Sequence, residues 1–333
     1  GTTGSTWVDV DGDRRADYVA RSGSKHYVTR YGWRPDTLTS VAGMFGSTST
    51  IVYKPATAWA NTNAVPASPT VASITTSDGR GTSSTTSYAY QGGLWSATER
   101  RFLGFRKVTT VVDAAGNYTE TYYHQHVGCI AKPEATYFRN SAGQIFTYSS
   151  YTYAENAAPP YTSLMTERWD YECNLDASCR RLVTTLGYDT YGNATATYEY
   201  GDYDVAGDER TTVRGYYPNT AAYIAARPAY ENVYVGIGTG GALKRQTLNT
   251  YDGGASYATA PGARGLLTRQ QRWLDQTGGY ASRGYAYDAW GNRTSETDEV
   301  GATQTFAYDA TYHLFRTQRC DALGHCQATA YDT

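Results

Sequence analysis

Hydrophobic and polar residues alternate in short runs along much of this chain. In the run Thr303–Tyr308, Phe306 and Tyr308 fall on one face of an extended strand, whereas Thr305 and Ala307 fall on the other. Successive side chains of a strand point to opposite faces, so this two-residue period is typical of a half-buried strand. Similar alternation of tyrosine and threonine occurs in the ranges 118–123, 148–153 and 195–200. The pattern predicts an all-β chain of short strands.

Turn signals separate these runs at regular intervals. Aspartates near the end of the chain lie 10 to 13 residues apart, at Asp275, Asp288, Asp298, Asp309, Asp321 and Asp332. Most of them are followed three residues later by a glycine. Aspartate at the first position of a type I turn accepts backbone N–H groups, and the glycine adopts the positive φ that starts a bulged return strand. This spacing predicts a long antiparallel meander.

Two six-residue units contain this turn in full, namely Tyr188-Asp-Thr-Tyr-Gly-Asn193 and Tyr287-Asp-Ala-Trp-Gly-Asn292. Looser copies begin at Asp113, Asn140 and Asp204. A Tyr-Asp-x-x-Gly-Asn unit at this spacing resembles the tyrosine-aspartate (YD) repeat of the rearrangement-hot-spot (RHS) family. That family includes bacterial polymorphic toxins, the B and C components of insecticidal toxin complexes, and the animal teneurins. We expect Gly192 and Gly291 to adopt positive φ after a type I turn.

Composition and charge agree with a β protein that binds neither nucleic acid nor membranes. The 333 residues include 33 Tyr and 34 Gly but only two Met, and tyrosine and glycine favour strands and turns respectively. The net charge of −2 provides no electrostatic basis for a nucleic-acid or anionic-membrane partner. No apolar run approaches the roughly 20 residues of a membrane-spanning helix. One short helix is predicted over 221–226, ended by Pro228.

Four aspartates near the start of the chain have the spacing of a cation loop. Asp9, Asp11, Asp13 and Asp17 occupy positions 1, 3, 5 and 9 of a loop between two apolar segments. Carboxylates on alternating positions converge when a loop curls, and their hard oxygen atoms suit calcium. The pattern resembles the calcium loop of integrin-type (FG-GAP, VCBS) β-propeller blades. We predict a structural calcium site; the alternative is a solvated turn without metal.

The resemblances also suggest how the chain is divided. Residues 1–60 are interpreted as the tail of an FG-GAP/VCBS-like β-propeller, 61–75 as a linker, and 76–333 as a segment of RHS/YD-repeat β-shell. The core Arg100-x-Phe102-x-Gly104-Phe105 resembles the segment that joins propeller and shell in toxin-complex B components and plasmid-virulence B-like proteins. Four basic residues around this core, Arg100, Arg101, Arg106 and Lys107, are interpreted as a solvated strand edge rather than an anion site.

Five cysteines leave two alternatives open. Cys173 and Cys179 are six residues apart, as are Cys320 and Cys326, and Cys129 is left over. The favoured interpretation is two local disulfides in an exported protein, with Cys320 and Cys326 bridging a hairpin. Free thiols in a protein kept reduced are the alternative.

A catalytic constellation is not evident. His124 and His126 are two residues apart and could bind a metal together, but a polar strand pair is the favoured interpretation. Neither a Gly-x-Ser-x-Gly elbow nor a His-Glu-x-x-His motif occurs, and the repeat accounts for the aspartates. His325 replaces the repeat asparagine and is interpreted as repeat drift. Because the chain starts without Met and contains no Asp-Pro pair, we expect a fragment or processed product without the self-cleaving core.

The resemblance implies a non-enzymatic shell segment of a toxin-complex B-like protein, secreted by or displayed on a bacterium. Such a shell would enclose and deliver a C-terminal effector. Its partners would be its own C-terminal RHS core and toxin domain or a C component, together with a translocation component. The alternative is a secreted or cell-surface carbohydrate-binding adhesin, whose exposed Tyr and Trp side chains would stack on sugar rings. A glycan-active enzyme would require a carboxylate pair in a cleft.

Overall fold

The computed structural model describes residues 4–10, 16–29, 37–156, 158–176 and 178–332. The chain is all-β, as the alternation predicted. It forms two units, 1–182 and 183–333, and the division falls within one strand, β13 (Arg180–Tyr188). The described residues contain no helix that is long and apolar enough to cross a membrane.

The first unit begins with a three-stranded antiparallel sheet, β1–β3, followed by strands that each pair antiparallel with the next, from β4 to β12. The bounds of these strands are β1 Gly4–Val8, β2 Asp17–Ser22, β3 Lys25–Thr29, β4 Ser40–Ala42, β5 Thr48–Pro55, β6 Pro69–Ser77, β7 Ser83–Ser96, β8 Arg101–Val111, β9 Tyr118–Tyr123, β10 Pro133–Arg139, β11 Ile145–Glu155 and β12 Ser163–Glu172.

The second unit continues the meander, and every described pairing from β14 to β23 joins consecutive antiparallel strands. The bounds are β14 Ala194–Asp202, β15 Arg210–Tyr216, β16 Pro228–Val235, β17 Leu243–Tyr251, β18 Leu267–Trp273, β19 Tyr280–Tyr287, β20 Arg293–Thr297, β21 Thr303–Tyr308, β22 Arg316–Cys320 and β23 Cys326–Ala328. The predicted antiparallel meander is therefore confirmed.

Burial along the strands shows that most of them have no fully buried face. Every residue of β9, β10 and β14 is half-buried, without the alternation between buried and exposed positions that a packed two-sheet core produces. Full burial in the second unit is concentrated where β15, β16 and β17 meet, at Thr211, Thr212, Ala229, Val233, Leu248, Asn249, Thr250 and Tyr251. Most strands thus contribute to a single sheet layer.

The helical segments among the described residues are four 3₁₀ turns, at Met44–Gly46, Ala56–Ala58, Val127–Cys129 and Thr220–Ala222. The predicted helix over 221–226 is wrong, because only the last of these turns forms there. The Asn219 side chain accepts the Ala222 N–H at 3.1 Å, and Tyr223 adopts a φ of +56° that ends the turn. A segment this short gains too few helical hydrogen bonds to offset the cost of nucleation.

The segment predicted to be a linker packs against the sheet. Strand β6 starts at Pro69 and pairs with both β5 and β7. The Asn61 side chain accepts the Gly93 N–H at 2.8 Å, and a Cβ atom at Gly93 would lie 2.5 Å from Val65. The proposed limits of the propeller tail and linker stay a prediction, but β4, β5 and β6 are hydrogen-bonded into the same succession of strands as β7.

Candidate functional site

The repeat turns are the most elaborate polar structures in the chain, and Asp288 illustrates their geometry. Its Oδ1 atom accepts the N–H groups of Trp290 and Asn292, both at 2.9 Å, while Oδ2 accepts the Asn292 amide at 3.0 Å. Gly291 has a φ of +95°, and the Asp288 N–H donates to the Asn292 carbonyl at 3.0 Å. The same bonds recur at Asp189, where Gly192 has a φ of +82°. The predicted turn chemistry is confirmed at both full units.

Two looser copies reach the same geometry with other residues. Asn140 accepts the Ala142 and Gln144 N–H groups through its amide oxygen, as aspartate does elsewhere. His325 takes the place of the repeat asparagine, and its Nδ1 atom lies 3.0 Å from Asp321 Oδ2. The turn therefore depends on a side-chain acceptor at its first position, whereas its last position varies: Ala302 closes the turn at Asp298 through its backbone alone.

Two predicted copies do not form this turn. At 204–207, Asp202 accepts the Asp204 N–H through its side chain and the Val205 N–H through its carbonyl, so the anchor lies two residues earlier. At 275–278, the Gly278 N–H donates to the Leu274 carbonyl at 2.8 Å. Both sequences lack an asparagine after the glycine, but so does 298–302, which forms the turn with Ala302 in the last position, so the missing asparagine alone does not explain the difference.

The repeat tyrosine joins its strand to the start of the preceding strand. The hydroxyls of Tyr287, Tyr308 and Tyr331 donate to the carbonyls of the residues that open β18, β20 and β22, at 2.9, 3.2 and 3.0 Å. A register shift directly precedes the repeat tyrosine in β19 and β21. A β-bulge changes the direction in which the next side chain points, and here it directs the ring of the repeat tyrosine toward the preceding strand. Tyr216 and Tyr251 make equivalent contacts, and Tyr53 donates to the Leu38 carbonyl, two residues before β4.

The repeat asparagine reaches beyond its own turn. The Asn292 amide donates to the His313 carbonyl at 2.7 Å, and the Asn193 amide donates to the Ala225 carbonyl at 3.0 Å. Each of these acceptors lies in a later loop of the second unit. One six-residue unit therefore connects its own hairpin, the preceding strand and a later loop.

The hydrogen bonds in the turns hold the pKa values of several aspartates below the ordinary value. At Asp288, desolvation raises the pKa, but the hydrogen bonds from the Asn292 side chain and from the backbone together outweigh it. At Asp321, the His325 backbone N–H is the main cause of the lowered pKa. Asp189 behaves as Asp288 does. These carboxylates stay ionised in the folded protein because their partners donate hydrogen bonds to the charged form.

We expect acid to destabilise the second unit through these turns. A carboxylate whose folded pKa is lowered stabilises the fold above its unfolded pKa, about 3.9 for aspartate, and that contribution is lost as the pH falls through the lower folded pKa. The melting temperature should therefore decline below about pH 4. The decline should be shallower for the double variant Asp288→Asn, Asp321→Asn, because asparagine accepts hydrogen bonds without titrating. Parallel slopes for parent and variant would contradict this assignment.

Cross-strand ion pairs form a second set of contacts, and they depend on the register in which neighbouring strands pair. Glu120 lies between two cations of neighbouring strands, 2.8 Å from Lys107 and 3.2 Å from Arg139. In the second unit, Glu231 lies 2.8 Å from Arg214 and 2.7 Å from Arg245. A slip of one residue in either strand would move the charges to opposite faces, so these triplets favour a single register.

Arg106 and Lys107 do not form the strand edge that the sequence predicted. Strand β8 pairs with β7 on one side and with β9 on the other. Arg106 forms an ion pair with Glu134 and donates to the Tyr123 carbonyl at 2.7 Å. The edge interpretation is wrong because these carboxylates and carbonyls come from strands later in the chain. The aromatic core beside them is confirmed, with Phe102 and Phe105 edge to face at 5.3 Å.

Four tyrosines form a ladder across neighbouring strands of the first unit. Tyr137 stacks on Tyr148 at 5.3 Å, and Tyr148 stacks on Tyr171 at 3.9 Å, while Tyr122 meets Tyr137 edge to face at 6.0 Å. Burial raises the pKa of Tyr148 to about 12, with further contributions from Tyr171 and Tyr137. Tyr148 therefore stays neutral at physiological pH, and the stacked rings of Tyr137, Tyr148 and Tyr171 cover one another's faces.

The predicted calcium loop is described in part. Asp9 follows β1 directly and Asp17 opens β2, while Asp11 and Asp13 lie outside the described residues. Val8 pairs with Asp17, so Asp9 and Asp17 lie at the same end of the hairpin. The Asp17 side chain is fully buried, and its Oδ2 atom accepts the Val10 N–H at 2.9 Å. The calcium site stays a prediction.

The cysteines pair as the favoured interpretation predicted. Disulfides join Cys173 to Cys179 and Cys320 to Cys326. The second pair occupies directly opposite positions of β22 and β23, across the turn that Asp321 opens. Cys129 remains a free, buried thiol.

The chain has recognisable relatives in both sequence and fold. Residues 2–128 match the family model described as the insecticide toxin TcdB middle/N-terminal region. The fold is similar to that of the Photorhabdus luminescens Tc holotoxin pore with a mutant TccC3, at a TM-score of 0.66 and 12% identity over 99% of this chain and 24% of that one. It is also similar to TcdB2-TccC3-TEV (TM-score 0.64, 13% identity, 99% and 24% covered) and to TcdB2-TccC3 (TM-score 0.61, 12% identity, 99% and 26% covered).

The solved structures that share this fold are much longer than this chain. The chain spans about a quarter of the length of the solved structures it matches. No curated protein matches it significantly. At 12–13% identity the solved structures show a shared fold, and the family model matches the first part of the chain independently of them. Together they confirm the resemblance to the toxin-complex B components of the RHS family that the repeats had indicated.

Proposed function

We propose that this chain is a non-enzymatic wall segment of a bacterial toxin of the toxin-complex B kind, and that the wall encloses and delivers a C-terminal effector. The single observation that carries this proposal is the repeat unit itself. Its tyrosine, aspartate and asparagine connect a hairpin to the preceding strand and to a later loop. These side chains are engaged in holding strands together, which is the role expected of a wall.

The burial pattern supports a wall rather than a packed globular core. Strands such as β10 and β14 expose part of both faces, so each side of the sheet is available to line or to cover something else. The ion-pair triplets around Glu120 and Glu231 help to fix the register of neighbouring strands in such a layer, so a second sheet packed against it is not needed for that purpose.

The aromatic contacts favour the wall over the carbohydrate-binding alternative. Sugar rings stack on open aromatic faces, whereas the tyrosine ladder uses its faces for contacts among Tyr137, Tyr148 and Tyr171. Trp290 is exposed, but its ring stacks on His313 at 3.5 Å. The exposed rings of Tyr312, Phe315 and Tyr331 contact one another, but Phe315 meets Tyr312 edge to face and lies tilted by 39° to Tyr331, so these rings do not form one flat stacking surface.

The proposed partners follow from the matched complexes, which contain TcdB2 together with TccC3. By analogy, the protein that carries this chain would assemble with a C component or with its own C-terminal RHS core. The enclosed cargo would be the effector segment of that partner, and the assembly would act outside the producing bacterium, with delivery through a translocation component.

Protease protection of the effector tests the proposal. The full-length protein carrying this chain is purified together with its C component, and added protease is followed by mass spectrometry. The effector should persist at protease concentrations that degrade the isolated effector within minutes, and it should lose protection once denaturant opens the wall. Degradation at the rate of the free effector would contradict enclosure. Selective binding of this chain to immobilised glycans would instead support the adhesin.

A further inference from the structure

Three potential metal ligands from separate parts of the first unit converge beside the ends of β9 and β11. His126 precedes the 3₁₀ turn Val127–Cys129, Cys129 is the last residue of that turn, and Glu155 is the last residue of β11. The ligand atoms of these three side chains all lie within 4.8 Å of one another. His126 Nδ1 is already 3.1 Å from Glu155 Oε2. None of the three belongs to a repeat turn or to the predicted calcium loop.

Backbone hydrogen bonds hold the loop that presents His126 and Cys129. The Cys129 N–H donates to the His126 carbonyl at 3.1 Å, and the Lys132 N–H donates to the Cys129 carbonyl at 3.1 Å. The His124 N–H donates to the Lys132 carbonyl at 3.0 Å and closes the loop at its base. The imidazole and the thiol are therefore held on one side of a closed loop before any ligand binds.

Gly128 makes room for the carboxylate between these two ligands. A Cβ atom at this position would lie 3.1 Å from Glu155 Oε2 and 3.3 Å from the Asn156 carbonyl oxygen. The φ of Gly128 is not in the left-handed region, so the backbone itself does not require glycine here. The absence of a side chain instead allows Glu155 to approach the loop closely.

From this geometry we propose that His126, Cys129 and Glu155 bind one zinc ion. The combination of one sulfur, one nitrogen and one oxygen donor suits zinc, whereas calcium and magnesium prefer oxygen ligands alone. Bond lengths of about 2.0–2.3 Å around tetrahedral zinc place the ligand atoms about 3.3–3.6 Å apart, so small side-chain rotations close the cluster.

The fourth position of the metal would face an adjoining cavity of about 410 Å³, lined in part by His126, Gly128, Glu155 and Tyr161. This leaves room for a water molecule on zinc. His124 lies beside the cluster, with its ring 5.3 Å from that of His126, and its buried Nε2 atom has no hydrogen-bond partner among the described residues.

Cobalt substitution tests the site directly, because the other four cysteines are in disulfides. The complete chain, purified without reductant and freed of metal with a chelator, is titrated with Co²⁺ and then with Zn²⁺ in competition with a metal indicator. We expect one equivalent to bind, with an ultraviolet thiolate-to-cobalt absorption band. In Cys129→Ala this band should disappear and zinc affinity should fall by more than the roughly 10–100-fold typical of losing a supporting residue.

Matched variants separate ligation from folding. His126→Ala and Glu155→Gln alter partly exposed side chains. Each should weaken zinc binding at least as strongly as Cys129→Ala does, while leaving the circular dichroism of the apo protein unchanged. Ser163→Ala removes the 2.8 Å hydroxyl contact to the Cys129 sulfur but no ligand, so it should keep the thiolate-to-cobalt band and weaken zinc binding by no more than the roughly 10–100-fold typical of a supporting residue. Cobalt binding without the thiolate band, or equal zinc affinity in parent and His126→Ala, would overturn the proposal.

Discussion

Gly291→Val should lower the thermal stability of this protein markedly. Gly291 has a φ of +95°, a conformation in which a side chain is strained by roughly 1–2 kcal/mol or more, and a β-branched residue suffers most. A Cβ atom there would also lie 3.0 Å from the Arg264 guanidinium, which donates to the Asp288 carbonyl at 2.9 Å. The change would strain the turn and weaken its contact with the loop around Arg264.

Ala289→Ser provides the matched control in the same turn. Ala289 is exposed and does not have a positive φ, so a hydroxyl there should change the free energy of unfolding by less than about 0.5 kcal/mol. Chemical denaturation of both variants measures the difference. Equal midpoints for Gly291→Val and Ala289→Ser would show that the repeat turn does not depend on its glycine.

Gly215→Ala should destabilise the protein for a different reason. Gly215 and Tyr230 are direct partners on β15 and β16, and a Cβ atom at Gly215 would lie only 2.0 Å from the Tyr230 ring. The tyrosine covers the glycine, as aromatic rings often do across paired strands. Even one methyl group would displace the ring, and such overpacking typically costs about 1–3 kcal/mol.

Gly284→Ala is the corresponding control in β19. The nearest heavy atom to a Cβ at Gly284 would be 3.8 Å away, on Thr297, and its φ is not in the left-handed region. Alanine should therefore be neutral or slightly stabilising, because it reduces the conformational freedom of the unfolded chain. The two alanine variants should differ in denaturation midpoint, with Gly215→Ala the less stable. The opposite order would mean that Tyr230 does not rest on Gly215 in solution.

The expected losses of stability in Gly291→Val and Gly215→Ala are consistent with the single sheet layer of the proposed wall. A single sheet layer has little buried core to compensate for a strained turn or a displaced ring. Its stability instead depends on many local contacts, such as the hydrogen bonds around Asp288 and the hydrogen bond from the Tyr308 hydroxyl to the start of β20. Damage to one repeat should therefore weaken the wall locally, and that is the region where protease would reach an enclosed effector first.

Sequence alone predicted the strands and the two full repeat turns, whose partners are all local, correctly. The carboxylate of Asp288 finds its donors within four residues, and Gly291 must follow at a set distance, so six letters are enough to predict the turn. The disulfide between Cys320 and Cys326 is equally local, because it spans the turn that Asp321 opens. Hairpin chemistry of this kind depends on backbone geometry that neighbouring residues set.

Apart from the repeat copies at 204–207 and 275–278, the wrong predictions concern residues whose environment comes from distant segments. Arg106 and Lys107 look like a basic strand edge in the sequence, but their carboxylate partners are Glu134 and Glu120 of later strands. The run 221–226 favours a helix by composition, yet the left-handed Tyr223 ends the 3₁₀ turn after Ala222. Neighbouring strands decide the first case, and in the second the Asn219 side chain that starts the turn also donates to the Pro261 and Gly262 carbonyls of a later loop.

The sequence by itself determined the repeat turns, the all-β class and the local cysteine pairs of this protein. Only the tertiary structure decided which carbonyl each repeat tyrosine contacts, which cations surround Glu231, and that His126 and Cys129 meet Glu155. The physical reason is register. Which side chains face each other across strands depends on bulges and on the pairing of whole strands, and a shift of one residue reverses every face.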